Sequence, residues 1–130
     1  MPEKPYEDIP GTLVFDADRS RVGYHLNQFC ISLRLAANRE AFAADPDGYL
    51  DQFPMSPEQR AAVVARDWNR LLELGGNIYY TSKLAANDGI TFQDLAAMMT
   101  GMAREDYRDM MLAGGRSIEG NRYKSEWEKN

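Results

Sequence analysis

Among 130 residues this chain carries one histidine, His25, and one cysteine, Cys30. Most metal and acid–base chemistry needs His, Cys or clustered carboxylates converging on one point, so a chain this poor in them is not expected to run chemistry alone. A lone cysteine cannot form an internal disulfide, which suits a reducing cytoplasm. Positive charge is also scarce: 15 Lys and Arg stand against 20 Asp and Glu, for a net charge of −5. Such a surface repels phosphate backbones and anionic lipid, which argues against nucleic-acid and membrane partners. No apolar run approaches the roughly 20 residues of a membrane span, and the polar start Met1–Asp8 has no apolar signal segment.

What is present is apolar side chain of an adaptable kind. Seven methionines, seven tyrosines, five phenylalanines and two tryptophans are a large supply for one small domain, and part of it is expected to face a partner. The hydrophobic fraction of 44% places the chain among globular rather than disordered sequences.

The pattern reads as all-α: a single small multi-helical domain with extended N- and C-terminal arms. Residues 1–17 form the first arm, 18–115 the helical body and 116–130 the tail. Pro2, Pro5 and Pro10 break helix in the first arm, and Leu13, Val14 and Phe15 are an apolar anchor expected to dock on the body. Asp18 is the expected N-cap of a helix over about 19–37. Val22, Leu26, Phe29, Cys30, Leu33 and Ala37 line one face of it, while Tyr24, Gln28, Ile31 and Leu35 line another. Two apolar faces suggest a helix between its own core and something further out.

Asn38 and Asp45-Pro46 restart short helices. Ser56-Pro57-Glu58-Gln59 is a capping box. The helix it opens carries Ala61, Val64, Ala65, Trp68, Leu71 and Leu72 on one face and ends at Gly75. Asn77 caps a helix through Leu84. Thr91, with Asp94 three residues on, caps the next, which Gly101 ends. A last helix holds Tyr107, Met110 and Met111. Ile118, Tyr123 and Trp127 are spaced along the polar tail as anchors.

No residue stands out as catalytic and none as a metal ligand. His25 lies beside Tyr24 and Asn27, where a structural or interface role fits better than ligation. Cys30 falls on the apolar stripe as an inert thiol. Gly75-Gly76-Asn77 lacks the spacing of a phosphate loop and reads as helix capping, as does Gly114-Gly115. The residues alone therefore describe an obligate partner subunit.

Seven segments then occur in order: Gly23-Tyr24-His25-Leu26-Asn27-Gln28-Phe29, Ala37-Asn38-Arg39-Glu40-Ala41-Phe42, Ala65-Arg66-Asp67-Trp68-Asn69, Gly75-Gly76-Asn77-Ile78-Tyr79, Asp88-Gly89-Ile90-Thr91-Phe92-Gln93, Met99-Thr100-Gly101-Met102 and Gly114-Gly115-Arg116-Ser117. This series closely resembles the alpha (small) subunits of LigAB-type extradiol dioxygenases, protocatechuate 4,5-dioxygenase above all, and extends to the alpha-like domains of gallate and aminophenol dioxygenases. The resemblance implies a noncatalytic helical subunit that covers and completes the active site of a larger beta subunit, commonly as alpha2beta2. In that family the beta subunit holds non-haem Fe(II), which takes a catecholic substrate and dioxygen; this chain binds no metal.

By position in that resemblance, Phe92 and Thr91 are the expected lining of the substrate pocket. Phe92 as simply the first apolar residue of its helix is the alternative. Tyr24, His25, Asn27, Gln28, Phe29, Asn77, Tyr79 and Arg116 are the expected partner-interface or packing residues. Two further readings stay open: a stand-alone helical binding or regulatory module, and a homo-oligomer taking an aromatic ligand in its own Met-rich groove.

Overall fold

The computed structural model describes residues 4–122 and 124–127. Tyr123 lies outside them, as does the side chain of Trp127. Ten helical segments and no strand occur among the described residues, and none of these helices is long and apolar enough to cross a membrane.

The expected helix over 19–37 is three helices. The first, α1 (Ala17–Val22), is capped by Asp16 rather than Asp18; the Asp16 carboxylate accepts from the Arg19 backbone N–H. Gly23 separates it from α2 (Tyr24–Ser32). α3 (Ala36–Ala44) follows a cap at Leu35, so Asn38 falls inside a helix instead of starting one. Its side chain donates to the Ser32 carbonyl at 2.8 Å, and Arg39 donates to the Leu33 carbonyl at 2.9 Å. These two residues satisfy the free carbonyls that end α2.

The Asp45-Pro46 start holds. It opens α4 (Pro46–Leu50), with the Asp45 carboxylate accepting from the Gly48 N–H. The capping box holds too: Ser56 and Gln59 exchange both bonds at the start of α5 (Pro57–Ala65). That helix does not continue to Gly75. It ends at Arg66, whose backbone turns left-handed (φ 54°, ψ 43°), and Asp67 caps a new helix, α6 (Trp68–Glu73). The break rotates the buried face. Ala61, Val64 and Ala65, expected inside, are exposed, while Gln59, Ala62 and Val63 are buried.

Asn77 caps α7 (Ile78–Asn87) and Thr91 caps α8 (Phe92–Thr100), both through the side-chain oxygen. Gly101 takes the left-handed cap conformation, and α9 (Arg104–Leu112) follows. A short α10 (Lys124–Trp127) closes the described tail.

The core forms around α2, which packs along α7. Leu26, Phe29, Cys30 and Leu33 from α2 meet Leu84 and Ala85 of α7, Leu71 of α6, Val63 of α5 and Leu95 of α8. Phe29 anchors an aromatic cluster, edge-on to Phe42 at 5.3 Å, Phe53 at 5.6 Å and Tyr49 at 6.1 Å. Val22 and Ala37, expected on the same stripe, are exposed, because the breaks at Gly23 and after Ser32 turn them away.

Three polar side chains stitch the start of α2 to the α6–α7 connection. Asn27 donates to the Gly75 carbonyl at 3.0 Å and accepts from the Asn77 N–H at 2.9 Å. Gln59 donates to the carbonyls of Val22 and Leu74. Arg19 donates to those of Leu72 and Glu73. Buried carbonyls that leave a helix this way must find donors, and these residues supply them.

The two arms lie against each other. The Arg116 guanidinium covers Gly11, Pro10 touches Gly120, and Asp8 pairs with Arg122. Leu13, Val14 and Phe15 face Leu72 and Ile78 across a small cleft and stay exposed. The expected apolar anchor is therefore not buried in the body.

Candidate partner surface and substrate-facing loop

The loop between α7 and α8 is short and braced at both ends. Asp88 follows the last residue of α7, and its backbone N–H still bonds back into that helix. Gly89 adopts φ +80° with open space around it. Ile90 returns a backbone bond to the Ala85 carbonyl at 2.9 Å and packs on the core. Thr91 then caps α8 by accepting from the Asp94 N–H at 3.1 Å. Asp94 in turn pairs with Arg104 at 3.0 Å, tying α8 to the start of α9.

Phe92 is the first residue of α8 and is 62% exposed. It makes no part of the core cluster. An aromatic ring held out by a capped helix start has paid no side-chain ordering cost for internal packing, and burying it against another surface is worth about 1.5–3 kcal/mol. Thr91 beside it is exposed, with its hydroxyl committed to the cap.

The expected interface residues divide in two. Tyr24, His25 and Gln28 are exposed on the outer face of α2, with the Tyr24 and His25 rings edge to face at 5.1 Å. Tyr79 is exposed on α7, with the Lys83 ammonium 5.1 Å from its ring centre. Because Asn27 joins the start of α2 to the start of α7, Tyr24 and Tyr79 emerge at the same end of the molecule. Arg116 is exposed over Gly11.

Asn27 and Phe29 are different. Both are buried, Asn27 in the polar junction and Phe29 in the aromatic cluster. Their side chains are used inside the chain, so they serve packing and leave the outward-facing set. Asn77 is half-buried, with its side-chain oxygen on the Tyr79 N–H at 2.8 Å and its backbone on Asn27. It shapes this end more than it faces outward.

A second concave surface runs between the arms and α6, α8 and α9. Leu13, Ile78, Met99, Met102 and Met110 line it with Arg116 at its rim, enclosing about 790 Å³ that is open to solvent. Asn69 supports one wall by donating to the Met99 carbonyl at 2.9 Å.

Among the described residues no group of three or more His, Cys, Asp or Glu is placed to hold an ion. His25 stands on the surface against Tyr24. Cys30 is fully buried, and burial pushes its thiol up to about 12, which keeps it protonated and unreactive.

Arg66 belongs to the ordered segment Ala65–Asn69, but its structural role has no local signature. It sits where a continuous helix was expected, and it pairs with Asp88 at 2.6 Å across 22 residues. The helix break alone had a local signal: Asp67 followed by Trp68 is a helix start inside the run.

Compared with known proteins, residues 26–112 match the family model for the LigA subunit of the aromatic-ring-opening dioxygenase LigAB. A gallate dioxygenase from Pseudomonas putida is 30% identical over 101 residues, which cover 78% of this chain. The match takes in 30% of that relative's length.

Proposed function

Because the chain belongs to the LigA-subunit family of LigAB aromatic-ring-opening dioxygenases, we propose that it is the noncatalytic alpha subunit of an extradiol dioxygenase resembling protocatechuate 4,5-dioxygenase. A larger beta subunit carries the Fe(II), and this chain covers that site, assembling with it as alpha2beta2 in the cytoplasm. The substrate is a catecholic acid, protocatechuate first and gallate second. The chain contributes shape and dryness rather than ligands.

One observation carries the reading: Phe92 is a large apolar ring left 62% exposed on the first turn of α8, just after a loop that the rest of the chain braces. A ring held outward at a capped helix start suits the wall of a pocket whose other walls belong to a partner, where excluding water strengthens the electrostatics of the reacting site. The aromatic end formed by Tyr24 and Tyr79 suits the surrounding contact, since Tyr is enriched where interfaces bury area.

Coexpression with the beta subunit tests the assembly. The chain is expected to copurify with an iron-containing partner and to run with it on a sizing column as a complex larger than one copy of each. Elution of the two chains apart, with iron retained by the larger one and full activity there, contradicts the covering role.

A further inference from the structure

We infer that Arg66 is a positioning residue: through Asp88 it sets where the Phe92 ring stands, and so it governs which ring-substituted catechols the assembled enzyme prefers. This rests on the reading of Phe92 as a pocket wall.

Among the described residues Arg66 is the one residue other than glycine with a positive φ, 54°. It ends α5, a place where glycine is the inexpensive choice. An arginine there bears backbone strain, and the side chain shows what that conformation delivers. Its Nε donates to one Asp88 oxygen at 2.6 Å and its Nη2 reaches the other at 3.3 Å. Nη1 donates to the Val63 carbonyl at 2.7 Å, and the guanidinium lies over the Phe42 ring, 5.7 Å from its centre. The fork is therefore held by its own helix and by the core, and it presents two parallel donors to the carboxylate. Only an arginine does this; a lysine ammonium offers a point charge without the fork.

Asp88 is the hinge side of the loop. Downstream stands Gly89, where a side chain would meet open space, and then Ile90, Thr91 and Phe92. Ile90 and Thr91 are fixed by the core and by the α8 cap. Arg66 holds the side chain at the other end, and the Asp88, Gly89 and Ile90 N–H groups bond back into α7, so the clamp is the side-chain part of the brace that sets the entry into α8. Both partners are partly shielded, at 31% and 25% side-chain exposure, so the pair is screened less than a surface pair.

The test uses the assembled, iron-loaded enzyme and the ratio of kcat/KM for protocatechuate over gallate. The variants are Arg66→Gly, which suits the left-handed backbone and so keeps the fold, Arg66→Lys, Asp88→Asn and Phe92→Ala. Arg66→Gly and Asp88→Asn are expected to move the ratio in the same direction as Phe92→Ala, by on the order of tenfold, within what a misplaced group of about 1 Å can cost. The double variant Arg66→Gly/Asp88→Asn should be no worse than either single change, as two halves of one clamp require. Arg66→Lys should fall between, and iron content should stay constant. If Phe92→Ala moves the ratio while Arg66→Gly and Asp88→Asn change only thermal stability, the clamp is structural and the inference fails alone. If Phe92→Ala also leaves the ratio fixed, the pocket-wall reading falls and takes the inference with it.

Discussion

Gly23 and Gly75 touch backbone to backbone: a Cβ on Gly23 would stand 1.9 Å from the Gly75 carbonyl oxygen. That contact lets α2 and the α6–α7 connection close around Asn27, and it brings Tyr24 and Tyr79 to one end of the molecule. It also accounts for two of the ordered motifs, Gly23–Phe29 and Gly75–Tyr79, as two sides of one junction.

Gly23→Ala should therefore be costly. No flexible side chain stands in the way; the obstacle is backbone, so the helices must part. The expected loss is about 3 kcal/mol or more, at the upper end of overpacking effects, read as a lower denaturant midpoint. A midpoint within error of the parent would mean that the junction is looser than its geometry.

Asn27→Leu keeps the branched shape of the side chain, in a somewhat larger form, and removes the bonds. It strands the Gly75 carbonyl and the Asn77 N–H in the interior, at about 1–3 kcal/mol for each group left unpaired. Urea unfolding measures it. The same change should weaken partner binding only as far as the junction loosens, because the side chain is buried.

The first arm should detach in acid. The Tyr6 hydroxyl, the Arg19 backbone N–H and the Lys4 ammonium hold the Asp16 carboxyl below its ordinary value of 3.8. A depressed carboxylate stabilises the folded arrangement fully above the unfolded value and loses that contribution as pH falls below it. Protection of the arm against proteolysis should thus be intact at neutral pH and fall below about pH 4. Asp16→Asn should show weak protection at every pH; an unchanged arm in that variant would refute the anchor.

Cys30 should resist thiol reagents in the native protein and react only when the fold opens. Its thiol is buried and held protonated. Labelling with a maleimide at neutral pH, followed by mass, should report the unfolding rate. Rapid labelling of the native chain would place the cysteine elsewhere.

Local chemistry was legible and distant contact was not. Ser56, Asn77 and Thr91 announce their helices because a cap involves residues two or three positions apart. Gly23 breaks the expected long helix for the sake of Gly75, which no local pattern reveals. Gln59 is buried because carbonyls from Val22 and Leu74 need its amide, so a search for apolar residues passed over it and settled on Ala61 and Val64. Tyr24, Tyr79 and Phe92, which stand in the ordered motifs, are exposed. Arg66 stands in one of those motifs too, but its pairing with Asp88 spans 22 residues and no local pattern reveals it.

The most direct measurement is oxygen uptake by the beta subunit and Fe(II) with protocatechuate, before and after addition of this chain. The account predicts little uptake by the beta subunit alone, saturable restoration as this chain is added, and no uptake by this chain with Fe(II) alone. Full uptake without this chain, with no change on its addition, would contradict the account.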